Sequence, residues 1–273
     1  MNRISFPRMA CVLAAAGLLP FHASAHDTWL SAEQTQVNAG KTLRFSLTSG
    51  EFFPDPGTPI APERIELASC RQGSMPFELK AGRRQAKVLE LQATPPAAGG
   101  VSCVVRLAPR KLDLDVGKVQ AYLDEIDAPQ PVRDAWKASP EPRRWMETYT
   151  KNAQTVIPGR GGPATALPPL PDGLNLGFAV DQNLVRGTVS GPLGVTLLRD
   201  GKPLAGVSVT LSAQTGGQRQ RQRSDAGGKV SFAQPAPGKW MLSATDLRLV
   251  DASQSAWDSQ FATLVFEVLP PKP

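Results

Sequence analysis

Apolar and polar residues alternate with period two from His26 to about Pro109. Leu43, Phe45 and Leu47 interleave with Thr42, Arg44 and Ser46, and Val101, Cys103, Val105 and Leu107 repeat the pattern, as strands with one buried face do. Turn clusters at Asn38-Ala39-Gly40, Pro54-Asp55-Pro56-Gly57 and Pro95 to Gly100 break these runs at intervals that suit a β-sandwich. A sandwich is predicted over residues 26–110. One position is out of phase: Cys70 falls on the side of Glu66 and Ala68, so a bend or strand end is expected there.

The period then changes. Leu112, Val116, Val119, Leu123 and Ile126 recur at steps of four and three, which predicts an amphipathic helix with Asp113 and Asp115 at its positive end. A second helical piece is expected from about Pro131 to Lys137. A third is expected from about Glu141 to Lys151, with Trp145 and Tyr149 four apart on one face. Residues 111–157 thus read as a short helical insert. Residues 158–173 hold five Pro and four Gly among sixteen, a linker or covering loop at the domain boundary. Strand patterns return over 195–198, 207–211, 229–232, 240–244 and 261–268, with tight turns at Asp200-Gly201 and Asp225 to Gly228. A second sandwich is predicted over 174–273.

Composition supports this picture: 26 Pro, 24 Gly and only 6% aromatic residues in 273 favour short strands and turns over a helical bundle. It also suggests an address. Arg3 and Arg8, an apolar run from Met9 to Phe21 and then Ala23-Ser24-Ala25 have the three parts of a secretory signal peptide, with cleavage after Ala25 and His26 as the new first residue. Cys11 leaves with it. No later run reaches about 18 apolar residues, so no transmembrane segment is expected after cleavage, and the expected compartment is the periplasm. Losing Arg3 and Arg8 lowers the formal net charge of +6 by two. An exported chain with so mild an excess is not expected to bind nucleic acid. Cys70 and Cys103 remain as a pair, without C-x-x-C spacing, and in an oxidising compartment are expected to form a disulfide.

The catalytic inventory is sparse. His26 is the one histidine left after cleavage, and no G-x-S-x-G, H-E-x-x-H or Walker sequence occurs, so an enzyme is not expected. The pairs Asp113/Asp115 and Asp124/Asp127 are expected to be solvated helix charges. As a first residue, His26 offers both an α-amine and an imidazole, which close a chelate ring suited to copper(II) or nickel(II). A histidine brace needs a second His, so Glu51 or Asp55 of SGEFFPDP are the expected helpers. The competing reading is that His26 simply follows the cleavage site. Arg219, Arg221 and Arg223 would share one face of a strand, either as a docking face for an anionic partner or as a charge-protected edge strand. Trp240 and Trp257, with Trp29, are candidates for a sugar-stacking platform, or else core residues. Trp136 and Trp145 are expected to pack the insert onto a sheet.

Four stretches together, His26 to Leu30, Gly50 to Pro54, Arg143 to Lys151 and Trp257 to Phe266, resemble an uncharacterised family of exported bacterial proteins labelled as nickel- or cobalt-uptake periplasmic components. DGKPLAGVSVTL, SDAGGKVSF and PGKWML resemble the prealbumin-like sandwich of carboxypeptidase regulatory domains. The resemblance implies a mainly-β protein with two β-sandwich domains, Ig-like or prealbumin-like. It implies a non-catalytic periplasmic part in nickel, cobalt or copper uptake or homeostasis, with His26 as a metal ligand and an envelope transporter component as partner. The alternative is an envelope module that binds glycan or a partner protein.

Overall fold

The computed structural model describes residues 26–159, 173–253 and 256–271. The expected signal peptide, its cleavage point and residues 160–172 of the expected linker lie outside them.

The protein is mainly β. In chain order the strands before the helices are β1 (Asp27–Ala32), β2 (Leu43–Gly50), β3 (Thr58–Pro59), β4 (Ile65–Gln72), β5 (Met75–Glu78), β6 (Lys80–Arg84), β7 (Leu89–Ala93), β8 (Val101–Leu107) and β9 (Arg110–Asp113). The helices α1 (Val116–Glu125) and α2 (Gln130–Lys137) follow. Then come β10 (Met146–Ile157), β11 (Leu176–Val180), β12 (Leu193–Arg199), β13 (Lys202–Pro203), β14 (Ser208–Ala213) and β15 (Arg219–Arg223). The chain closes with β16 (Lys229–Phe232), β17 (Gly238–Asp251) and β18 (Ala256–Val268).

These strands form three sheets. A nine-stranded sheet runs β15-β14-β17-β18-β10-β8-β4-β5, with β9 also on β10. A five-stranded sheet runs β1-β2-β7-β6 with β3 on β2, and a four-stranded one runs β11-β12-β13 with β16 on β12. The large sheet is common to both halves, because β10 and β18 pair in parallel from Met146↔Ala256 to Val156↔Phe266. Paired residues share a face, so alternation tells the two covers apart. Ala153, Val105 and Cys103 lie on one face and pack with Leu30, Phe45 and Leu91 of the five-stranded sheet. Leu264, Leu242 and Leu211 lie on the other and pack with Leu176, Val195 and Phe232 of the four-stranded sheet. Two sandwiches thus share one central sheet and occupy its opposite faces.

Several expectations resolve here. Cys70 and Cys103 face each other across β4 and β8 and form the disulfide. The phase problem is a bulge between Ile65 and Leu67, which lets Ile65, Ala68 and Cys70 all point inward. Asp200 and Gly201 both take positive φ, 50° and 75°, as the two-residue turn between β12 and β13 requires. The first helix starts later than its apolar stripe suggests. Asp115 caps α1 by accepting from the Gly117 N–H at 2.9 Å, and Leu112 belongs to β9.

The third helix is a correction: residues 146–157 are β10, near the middle of the large sheet. A spacing of four, Trp145 to Tyr149, is also two strand periods. Downstream Thr148, Thr150, Thr155, Val156 and Ile157 are β-branched, and Glu147, Tyr149, Lys151 and Ala153 take one face together. The insert therefore consists of α1 and α2 alone. They cover the far end of the face that carries the five-stranded sheet, through Val119, Leu123 and Trp136 against Trp145, Trp257 and Phe261.

Candidate functional site

The five-stranded sheet and the helical insert cover the same face of the large sheet. Between them lies a cleft of about 410 Å³. Its floor is the large sheet, through Glu147, Tyr149 and Lys151 of β10, Phe261 of β18 and Arg110 and Leu112 of β9; one side is His26, Ser49, Thr58–Ala61 and Arg64, the other Leu114 and Tyr122, and Arg84 also lines it.

Lys151 is central. Its Nζ donates to the His26 carbonyl at 2.5 Å and stands 5.7 Å from the Tyr149 ring centre and 5.4 Å from that of Phe261. Burial pushes its pKa down to about 8, against the pull of Asp27. Burial also pushes the Asp27 carboxyl up to about 6, with Lys151 opposing. The His26 imidazole is held below its ordinary value by burial and then by Lys151. Neutral imidazole is thus the favoured form.

Beneath these sits Glu147, a buried carboxylate served by neutral donors. Tyr122 Oη donates at 2.9 Å and Trp145 Nε1 at 2.8 Å, and the Ser259 hydroxyl donates as well. Burial raises its pKa and the three hydrogen bonds oppose the rise. Arg64 leans over the Tyr149 ring at 5.9 Å and donates from Nη2 to the Ala108 carbonyl at 2.8 Å. Its Nε is buried and without a hydrogen-bond partner. Burial, followed by the nearby Arg110 charge, depresses its pKa.

The expected site residues fall in different places. His26 lines the cleft, while Asp27, its neighbour on the strand, faces a second and smaller polar recess of about 50 Å³. Glu51 borders that recess with Glu125, Arg219 and Arg221. Asp55 is exposed in the loop after β2 and lines neither. Among the described residues no three His, Cys, Asp or Glu side chains converge to hold a metal ion. The three arginines do share a face of β15, an edge of the large sheet. That face turns toward the insert: Arg221 donates to the Glu125 carbonyl at 3.4 Å, and Arg223 pairs with Asp127 at 2.5 Å. Trp240 and Trp257 are a correction. Both are buried, Trp240 in the C-terminal sandwich core and Trp257 stacked at 4.6 Å on Trp145, so neither offers a ring to a ligand.

A family model, "Domain of unknown function (DUF4198)", matches residues 23–246. The chain belongs to this family. The DUF4198 match spans the five-stranded sheet, the helical insert and the cleft between them, while Phe261 of the floor lies beyond it. Among solved structures, the chain is similar to the D0-D1 domain of intimin at 14% identity and TM-score 0.23, over 87% of this chain and 97% of that one. A tetra-tandem repeat from the extending region of a large adhesion protein matches at 12% and 0.23, over 89% and 50% of the two chains. The Yersinia pseudotuberculosis adhesin InvE matches at 10% and 0.22, over 87% and 58%. No curated protein matches the chain.

Composition could not show that Glu147, Tyr149, Lys151, Arg64 and Arg110 of this DUF4198 member would meet. A partial signal was present. His26, Glu147, Tyr149, Lys151 and Phe261 all lie in stretches that carry the family resemblance, and the fold brings those stretches to one cleft.

Proposed function

We propose that this is an exported, non-catalytic binding or accessory protein of the cell envelope, and that its ligand occupies the cleft between the five-stranded sheet and the helical insert. The cleft carries the reading. It has the size of small-molecule sites, about 300–1,000 Å³, with apolar walls and a few convergent polar groups. Its one buried acid, Glu147, has both oxygens engaged by neighbouring side chains, which suits an anchoring role better than proton transfer. Mass spectrometry of small molecules retained by the protein from a periplasmic extract tests this. Wild type should enrich at least one species that Leu112→Trp, which sets a bulkier side chain into the cleft, does not. Equal profiles from two folded proteins would sink the proposal.

A metal role is the second reading, favoured by one observation. His26 is biased to its neutral, ligating form, with the Glu51 and Glu125 carboxylates in electrostatic reach. Nickel, cobalt or copper would be bound by His26 with Glu51; Asp55 is not placed to help. A copper(II) and nickel(II) titration of protein beginning at His26, beside one carrying an extra residue before it, decides this. The chelate ring requires that only the first form binds tightly.

A further inference from the structure

We propose that the cleft takes a small organic anion, with a carboxylate or phosphate head held by Arg64 and Arg110 beside Lys151 and an apolar body laid against Leu112, Tyr149 and Phe261. The proposal rests on the cleft being the ligand site and adds the chemistry of its occupant.

The argument begins with charge that the fold leaves unanswered. Three cations surround one ring: Arg64 and Lys151 stand 5.9 and 5.7 Å from the Tyr149 centre, and Arg110 is the cross-strand partner of Tyr149 on β9. Arg84 adds a fourth in the lining. Among the described residues the close ion pairs join other side chains, and none involves these four. Glu147 is the one carboxylate in the lining, and Tyr122, Trp145 and Ser259 occupy it. Asp27 attracts Lys151 but faces the other recess.

Gathering like charges costs free energy: burial depresses the pKa of both Arg64 and Lys151, and Arg110 adds to the first shift and Arg64 to the second. A concave wall of one sign also focuses the field and concentrates counter-ions inside it. An oxyanion entering the cleft would neutralise that field. Guanidinium forks suit carboxylate and phosphate oxygens, and the apolar walls leave room for more than the head group. The second recess lacks this imbalance, since Arg219 and Arg221 there face Asp27, Glu51 and Glu125.

The test uses two fluorescent probes with one aromatic body. Anilinonaphthalene sulfonate carries an oxyanion; phenylnaphthylamine does not. Each is titrated into the purified protein and into Arg110→Gln, Leu112→Trp and a remote control, Lys202→Gln, all checked for folding by circular dichroism. The expected result is one-to-one binding of the sulfonate, about tenfold or more weaker for the neutral probe and for the sulfonate in Arg110→Gln, as loss of a charged hydrogen bond gives. Binding should vanish in Leu112→Trp and be unchanged in Lys202→Gln. Benzoate and phenyl phosphate, added as competitors, should displace the sulfonate, and their ranking identifies the preferred head. If both probes bind equally, ignore Arg110→Gln and are lost in Leu112→Trp, the cleft is a ligand site and the anion proposal is overturned. If neither probe binds, or Leu112→Trp leaves binding intact, the cleft reading fails with it.

Discussion

Lys151 and Asp27 attract one another across the contact of β1 with β10, and burial displaces each from its usual titration range in the direction that disfavours its charge. Asp27 titrates at about 6 rather than 3.8, so the folded state holds its proton more tightly than the unfolded chain does. Its contribution to stability is complete below about pH 4 and is lost as pH rises through about 6. Lys151 titrates at about 8 rather than 10.5, so the folded state holds its proton more weakly. Stability due to Lys151 is therefore low below about 8 and rises from there toward 10.5. Together they predict a shallow minimum between pH 6 and 8, visible in urea unfolding from pH 4 to 10. A maximum in that window would refute this assignment. In Asp27→Asn the Lys151 pKa should fall further, because the attraction that holds it up is gone; an NMR titration of the lysine side chain reads this directly. Such a pair was not legible in the sequence. Residues 27 and 151 are distant along the chain, and only the contact of β1 with β10 sets one beside the other.

At the scale of elements, the helical insert is tied to the central sheet by Trp145 and Glu147. Trp145 is fully buried, stacked on Trp257 and edge-on to Tyr122 and Trp136. Trp145→Ala should cost about 3–5 kcal/mol in urea unfolding, with α1 and α2 losing hydrogen-exchange protection before the sandwich cores do. Glu147→Ala should cost about 1–3 kcal/mol for each buried donor it strands, namely Tyr122 Oη, Trp145 Nε1 and Ser259 Oγ. Glu147→Gln should cost less, because one amide oxygen still accepts. These are the residues whose element was misread. Trp145 and Tyr149 fit a helix stripe, and the competing signal was the β-branched run that follows them. In β2 and β8 no such conflict arises, and their alternation alone placed Leu43, Phe45, Val101 and Val105 in the core.

The whole molecule is two sandwiches on one sheet, and two links hold it across distance. The Cys70–Cys103 disulfide joins residues 33 apart; on the chain-entropy account its removal should cost about 4 kcal/mol, seen as a lower melting temperature after reduction. Arg199 at the end of β12 donates to Asp246 at 2.5 Å and Asp258 at 3.0 Å, tying the four-stranded sheet to β17 and β18. Asp246 is nearly buried and keeps Arg248 Nε at 2.8 Å, so Arg199→Met should cost less than the about 3 kcal/mol of a buried charge left wholly unpaired. Calorimetry of the reduced protein and of Arg199→Met separates these effects, since they act on opposite faces of the sheet.

Local pattern determined strands such as β2, β8, β12, β14, β16 and β18, though not β10, together with the two helices, the turns at Asp200 and Asp225 and the cysteine pair, because each depends on residues a few positions apart or on composition. Pairing between distant strands was decided by the tertiary structure alone. Period-two alternation says that β10 and β18 each have two faces but not that they lie side by side in parallel. That pairing makes one sheet of two sandwiches, sets the five-stranded sheet and the insert on a shared face, and opens the cleft between them. The meeting of Arg64, Arg110, Tyr149 and Lys151 follows from that packing, which no local periodicity encodes.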